Sequence, residues 1–187
     1  MTKKPVILML GDSLTEFWRW RRLSEQADVS NCGIAGDTSQ GLLHRLDIAL
    51  SVKPKVIFLQ IGINDISMGV SPKQVCDNQL LIWRELTRKA PSAKLVVCSL
   101  MPLRQDSFCW VSDFLTTERV KETNKLLKAA ADQNGLSYID LFSKACNDQE
   151  ELEENMTLDG VHLTEVAYDI WEDALKAFLD ANPELLA

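Results

Sequence analysis

Val6-Ile7-Leu8-Met9-Leu10-Gly11-Asp12-Ser13-Leu14-Thr15 decides the reading of this chain. Five apolar residues in a row, with no polar interruption, read as a strand buried on both faces, the kind found inside a parallel sheet. Gly11-Asp12 stops the run and a serine follows at once. A serine on the turn leaving such a strand stands at the carboxyl edge of the sheet, where open α/β folds place their chemistry. The geometry expected is that of a nucleophile elbow, although the local sequence is not G-x-S-x-G. Taken alone, Gly-Asp-Ser is more often only a turn.

Outward from that stretch, strand and helix signals alternate. Residues Glu16 to Glu25 are expected to be helical and are rich in aromatics and arginine: Phe17, Trp18, Arg19, Trp20, Arg21, Arg22. A short strand near Val29-Ser30-Asn31 leads into Cys32-Gly33-Ile34-Ala35-Gly36-Asp37. Asp37 or Thr38 can cap a helix that buries Leu42, Leu46 and Ala49. Pro54 precedes a third strand, Val56 to Ile61, which runs into Gly62-Ile63-Asn64-Asp65. Ser71-Pro72-Lys73-Gln74 reads as a capping box with proline at the first helical position, opening a helix with Val75, Ile82 and Leu86 inward. Leu95 to Ser99 is the fourth strand, followed by a long loop from Met101 to about Leu115. A helix from about Thr117 buries Val120, Leu127 and Ala131 and stops at Gly135. Leu136 to Asp140 is a fifth strand. After an acidic loop comes Leu158-Asp159-Gly160-Val161-His162-Leu163, then a helix capped by Thr164 with Val166, Ile170 and Phe178 inward.

This alternation predicts right-handed crossovers and a parallel sheet. The expected fold class is α/β: a three-layer α/β/α, flavodoxin-like doubly wound sheet of about five parallel strands. With no repeat and no linker, residues 1–187 form a single domain. The loops after strands one, two, three and five then open on one edge, bringing Ser13, Gly36, Asn64, and Asp159 with His162 to a common crevice.

Composition narrows the function. Twenty basic residues against 27 acidic ones give a net charge of −7, which argues against nucleic acid as the main partner. Five cysteines stand singly, with no C-x-x-C, so neither a disulfide framework nor a metal site is expected. The first apolar run is too short for a signal h-region or an integral membrane segment, and a cytoplasmic protein is the expectation.

The chain has two histidines. His44 lies inside a helix among Leu42, Leu43 and Leu46 and reads as a surface or packing residue. His162 sits three residues after Asp159, a spacing that lets one carboxylate reach Nδ1 and leaves the other ring nitrogen for a serine. Asp12, Asp37 and Asp65 are rival candidates for the acid. Asn64, read alone, is an Asx-turn residue.

Gly11-Asp12-Ser13-Leu14 resembles the first block of the GDSL (SGNH) hydrolases. Gly36 matches their second block, Gly62-Ile63-Asn64-Asp65 their third, and Asp159-Gly160-Val161-His162 their last. The blocks occur in family order across nearly the whole chain. Asn31 to Thr38 and Lys53-Pro54-Lys55-Val56-Ile57 look most like the branch that contains the catalytic subunits of platelet-activating-factor acetylhydrolase and its bacterial relatives. The resemblance implies a serine esterase that cleaves a small-molecule ester, without cofactor or metal. In it Ser13 is the nucleophile, His162 the base and Asp159 the acid that orients it. The Ser13 and Gly36 backbone N–H groups and the Asn64 amide then form the oxyanion hole. The same resemblance leaves room for a homodimer.

For the substrate, Trp18 and Trp110 are candidate contacts, and the acetylhydrolase branch points to a short acyl group. A lysophospholipase or thioesterase acting on longer chains, a catalytically silent SGNH-fold binding subunit, and a phosphate or flavin binder on the same fold are the other readings. The last gives no reason for Asp159-x-x-His162 or Asn64.

Overall fold

The computed structural model describes residues 4–20, 23–108 and 112–187. In chain order the elements are β1 (Val6–Gly11), α1 (Ser13–Glu16), β2 (Asp28–Gly33), α2 (Ser39–His44), α3 (Leu46–Leu50) and β3 (Val56–Gln60). They continue with α4 (Ile63–Ser67), α5 (Pro72–Lys89), β4 (Lys94–Cys98), α6 (Thr117–Gln133), β5 (Ser137–Ile139), α7 (Phe142–Ala145) and α8 (Glu165–Asp180). The five strands pair in parallel in the order β2-β1-β3-β4-β5, as the alternation predicts.

Strand periodicity of two builds the layers. On β1, Ile7 and Met9 join Phe58, Val96, Trp171 and Leu175 in one core. Leu8 and Leu10 join Leu42, Leu46, Ile82 and Leu127 in the other. α8 therefore covers one face, and α2, α3, α5 and α6 cover the opposite one. A third cluster, including Ile63, Leu100, Leu103, Phe142 and Val161, forms from residues that follow β3, β4 and β5.

Three expectations need correction. The helix expected from Glu16 to Glu25 ends after one turn, at Glu16. Trp18 stacks on Tyr168 with centroids 4.6 Å apart, and Trp20 meets Trp171 edge-on at 5.1 Å. Residues two apart lie on nearly opposite sides of a helix and could not both face α8. The Asn31 amide replaces the lost helical bonds, donating to the carbonyls of Thr15, Glu16 and Trp18 at 2.8, 3.2 and 2.9 Å. The helix expected around Leu42, Leu46 and Ala49 breaks at Arg45, which has φ −111° and ψ 10°. On α8 the inward stripe is shifted by one residue. Ala167, Tyr168, Trp171, Leu175 and Leu179 are buried, whereas Val166 is 46% exposed.

Two of the expected caps form in full and two do so only in part or not at all. Thr38 Oγ1 accepts from Gly41 N and Ser71 Oγ from Gln74 N, as helix caps do. The Gln74 side chain does not close its box but donates to Asn78 Oδ1. Thr164 uses its hydroxyl to donate to the Asn155 carbonyl and makes no side-chain cap bond.

Trp20 is 2% exposed and belongs to the core beside α8. Trp20→Ala should cost about 3–5 kcal/mol in urea unfolding, the usual loss for a buried ring. Val166→Ala should stay within about 0.5 kcal/mol, as exposed substitutions do. A cost for Val166→Ala as large as that for Trp20→Ala would contradict the outward placing of Val166 on α8.

Candidate functional site

The site begins where β1 ends. Asp12 caps α1, its Oδ1 accepting from Leu14 N at 3.0 Å, and Ser13 is the first residue of the helical turn. Ser13 is 5% exposed. Its Oγ lies 3.0 Å from His162 Nε2, across 149 residues of sequence. His162 Nδ1 lies 2.7 Å from Asp159 Oδ2. Asp159 Oδ1 also accepts from the backbone N–H groups of Val161 and His162, at 3.0 and 2.8 Å. One carboxylate thus closes the turn and holds the ring. Partial burial pulls the Asp159 carboxyl up, but the His162 ring bond, the two backbone bonds and the neighbouring imidazole outweigh it and hold it below the usual carboxylate range.

Gly160 makes that turn possible. Its φ is +90°, and a Cβ there would run into the Arg104 carbonyl and the Phe108 ring. Arg104 N donates to Gly160 O at 2.9 Å, so the long loop after β4 braces the histidine turn from behind. Thr157 Oγ1 bridges it, accepting from Gly160 N and donating to the His162 carbonyl, each at 2.9 Å.

The loops after β2 and β3 meet on the same edge. Asp37 N donates to Ile34 O at 3.1 Å, closing a turn in which Gly36 has φ +76°. Positive φ at the third residue is what a type II turn asks of glycine. The Asn64 side-chain amide donates to the Asp37 carbonyl at 2.8 Å. Asp65, buried, accepts from Ser39 N at 2.9 Å and from the Ser39 hydroxyl, and Asn78 donates to that hydroxyl.

The rival acids are thereby separated. Asp37 pairs with Arg45 at 2.7 Å and Asp65 with Ser39, while Asp159 is the carboxylate that meets His162. Asp12 is wholly buried, and its Oδ2 meets no donor among the described residues. Burial pushes its carboxyl from 3.8 up to about 7, against the Leu14 bond, with repulsion from Asp37 and Asp65 adding to the rise. His44 is exposed, which makes it a surface residue and not a packing one.

Of the candidate substrate contacts, Trp110 lies outside the described residues. Trp18 is half-buried and lines a cavity of about 610 Å³ together with Phe17, Leu158, Leu163, Glu165 and Tyr168. The Phe17 ring lies 5.5 Å from the His162 ring. Trp18 Nε1 donates to Glu172, and the Tyr168 hydroxyl donates to the Leu14 carbonyl at 2.8 Å. Asn31, Arg45 and Tyr168 support the site and were missed by sequence reasoning, because nothing local marks residues whose partners are distant.

A family model for the GDSL-like lipase/acylhydrolase family matches residues 9–170. The chain belongs to that family. It is 25% identical over 173 residues to platelet-activating factor acetylhydrolase IB subunit alpha1 of Bos taurus, covering 89% of this chain and 71% of the relative. Among solved structures, a candidate platelet activating factor from Streptococcus pneumonia matches at TM-score 0.86 and 24% identity, covering 95% of this chain and 85% of the other. The lipase/acylhydrolase from Enterococcus faecalis matches at TM-score 0.77 and 21% identity, covering 95% and 96%. These two likenesses concern the fold. Membership makes this chain an ester hydrolase. No helix among the described residues is long and apolar enough to cross a membrane.

The Asp12 carboxyl generates a signed prediction. Its pKa is raised in the folded chain, so folding binds a proton between the ordinary 3.8 and about 7. Its contribution to stability is then largest at the acid end and falls as pH rises through that window. Each unit of difference is worth about 1.4 kcal/mol, so the total is on the order of a few kcal/mol. Asp12→Asn removes the titration, and its stability relative to wild type should rise from about pH 4 to about 7 and then level. Urea unfolding across that range measures it, and a constant gap would count against the raised carboxyl.

Proposed function

We propose that the chain is a serine esterase working through Ser13, His162 and Asp159. The observation that carries the reading is the unbroken hydrogen-bonded line from Ser13 Oγ to His162 Nε2 and from Nδ1 to Asp159. In this reading Ser13 Oγ attacks the ester carbonyl carbon while its proton passes to His162 Nε2. The carbonyl π pair moves onto oxygen, and three donors receive that charge: the N–H groups of Ser13 and Gly36 and the second N–H of the Asn64 amide. Collapse breaks the bond to the alcohol oxygen, which takes the proton from His162. Water, deprotonated by the same imidazole, then attacks the acyl-serine and releases the acid.

The donors suit this role. Ser13 opens α1, so its N–H has no carbonyl one turn back to bond. Gly36 has open space where a Cβ would stand, leaving room for a substrate against the backbone. Asn64 has two amide N–H groups, and Asp37 takes one.

The cavity beside His162 supports an assignment of substrate halves. Its walls Leu158 and Leu163 bracket Asp159 and His162, and Phe17 faces the imidazole. It therefore lies on the side of the base, where the alcohol leaves, and Trp18 contacts that half. Trp20 is in the core and has no part in it. The short-acyl reading rests instead on relatives named for acetylhydrolase activity. The free thiols of Cys32, Cys76, Cys98 and Cys146 suit a reducing compartment, so cytoplasmic residence belongs to this proposal.

Ser13→Ala should abolish hydrolysis of p-nitrophenyl acetate and labelling by a fluorophosphonate, and retention of more than a few percent of turnover would sink the nucleophile. Asn64→Ala should lower kcat by roughly 10²–10³ with a smaller change in KM. On acyl length, acetyl esters should turn over faster than octanoyl esters of the same alcohol below micelle-forming concentrations. The reverse order would favour a long-chain lysophospholipase or thioesterase and leave the triad standing.

A further inference from the structure

Arg45 stands at the break between α2 and α3. It is 16% exposed and pairs through Nε with Asp37 Oδ2 at 2.7 Å. Nη1 donates to the Cys32 carbonyl at 2.6 Å and Nη2 to the Gly11 carbonyl at 2.9 Å. One planar guanidinium thus holds the last residue of β1, the end of β2 and the turn after β2. Lysine could not do this, because its single ammonium lacks the fork geometry that reaches three fixed acceptors in one plane.

What lies beyond Asp37 gives the clamp a consequence. The Asp37 carboxylate is held by Arg45 and by Thr38 N at 3.0 Å, and its own N–H closes the Gly36 turn. Its carbonyl then takes one N–H of the Asn64 amide. A primary amide is planar, so fixing one N–H direction fixes the other. The orientation of Asn64 and the position of the Gly36 N–H are both referred to a residue that Arg45 immobilises. The same guanidinium holds Gly11, two residues before Ser13. The loops that carry the three groups are therefore tied to one side chain.

We propose that Arg45 is a positioning residue that fixes the oxyanion donors through Asp37; this rests on the reading of Gly36 and Asn64 as those donors. Transition-state stabilisation needs donors aimed at a charge that exists only briefly, so small errors of placement fall on kcat. Arg45 does not contact the ground-state ester, and its loss leaves KM nearly unchanged.

The test uses the full chain and p-nitrophenyl acetate, with Arg45→Met, Arg45→Lys and each of these combined with Asn64→Ala. Arg45→Met should lower kcat roughly tenfold to a hundredfold, in line with the cost of misplacing a catalytic group. KM should change by less than about threefold. Arg45→Lys, which keeps the charge and loses the fork, should be impaired in the same sense and serves alone if the Met variant does not fold. In the Asn64→Ala background either substitution should cost only severalfold, since the donor it orients is already gone. Fluorophosphonate titration of Ser13 corrects each kcat for the competent fraction. Multiplicative losses in the double variants, or a wild-type kcat for Arg45→Lys, would overturn the inference. If Asn64→Ala alone keeps wild-type kcat, the oxyanion reading fails with it; if Asn64→Ala is impaired but Arg45 acts independently, only the role of Arg45 fails.

Discussion

The carbonyl of Gly11 is the point from which the site hangs. It is the last residue of a strand paired on both sides, opposite Gly33 on β2 and Gln60 on β3. Its oxygen accepts from Ile34 N at 3.2 Å and from Arg45 Nη2 at 2.9 Å. Because β1 is buried on both faces, this end of the chain cannot shift without moving two cores. Ser13 follows two residues later, so the nucleophile candidate inherits the rigidity of the sheet while standing just outside it. The neighbouring loops are tied to the same atom, so a common origin fixes their relative positions.

Four aspartates gather on this edge of an acidic chain, and each is compensated differently. Asp37 has the Arg45 fork, and Asp65 has the N–H and hydroxyl of Ser39. Asp12 has the Leu14 N–H, and its carboxyl rises to about 7 because burial penalises the charge. Asp159 is held below its ordinary value by an imidazole and two backbone N–H groups. A carboxylate that must stabilise charge developing on a histidine has to stay ionised. Of these four, Asp159 combines that condition with contact to the ring.

Much of this was legible in the sequence where the signal is local. The continuous apolar runs of β1, β3 and β4 and the periodic faces of α5 and α6 depend on neighbours within a turn, and they read correctly. Asp159 and His162 meet as their spacing predicts, because three residues suffice for the carboxylate to fold back on the ring. The failures are tertiary. The residues after Glu16 have the makings of a helix, but the carbonyls of Thr15, Glu16 and Trp18 are taken by Asn31, on the adjacent strand. On α8, Glu172 breaks the apolar stripe, yet it is buried because it accepts from Trp18. Nothing near Arg45 in the sequence marks its acceptors, since Gly11 and Cys32 lie 34 and 13 residues away.

The contacts that defeated the helix expectation also join the two halves of the triad. His162 lies just before α8, and Ser13 begins the segment that ends in Trp18 and Trp20. Trp18 stacks on Tyr168, Trp20 packs on Trp171, and the Tyr168 hydroxyl binds the Leu14 carbonyl, all from α8. A helix over Glu16 to Glu25 would turn one of those rings away and release α8 from the nucleophile turn. The Ser13–His162 approach of 3.0 Å is thus set by an aromatic seam between distant parts of the chain as well as by the sheet. Short-range pattern can place a serine and a histidine on the same edge, but the seam brings them within hydrogen-bond reach.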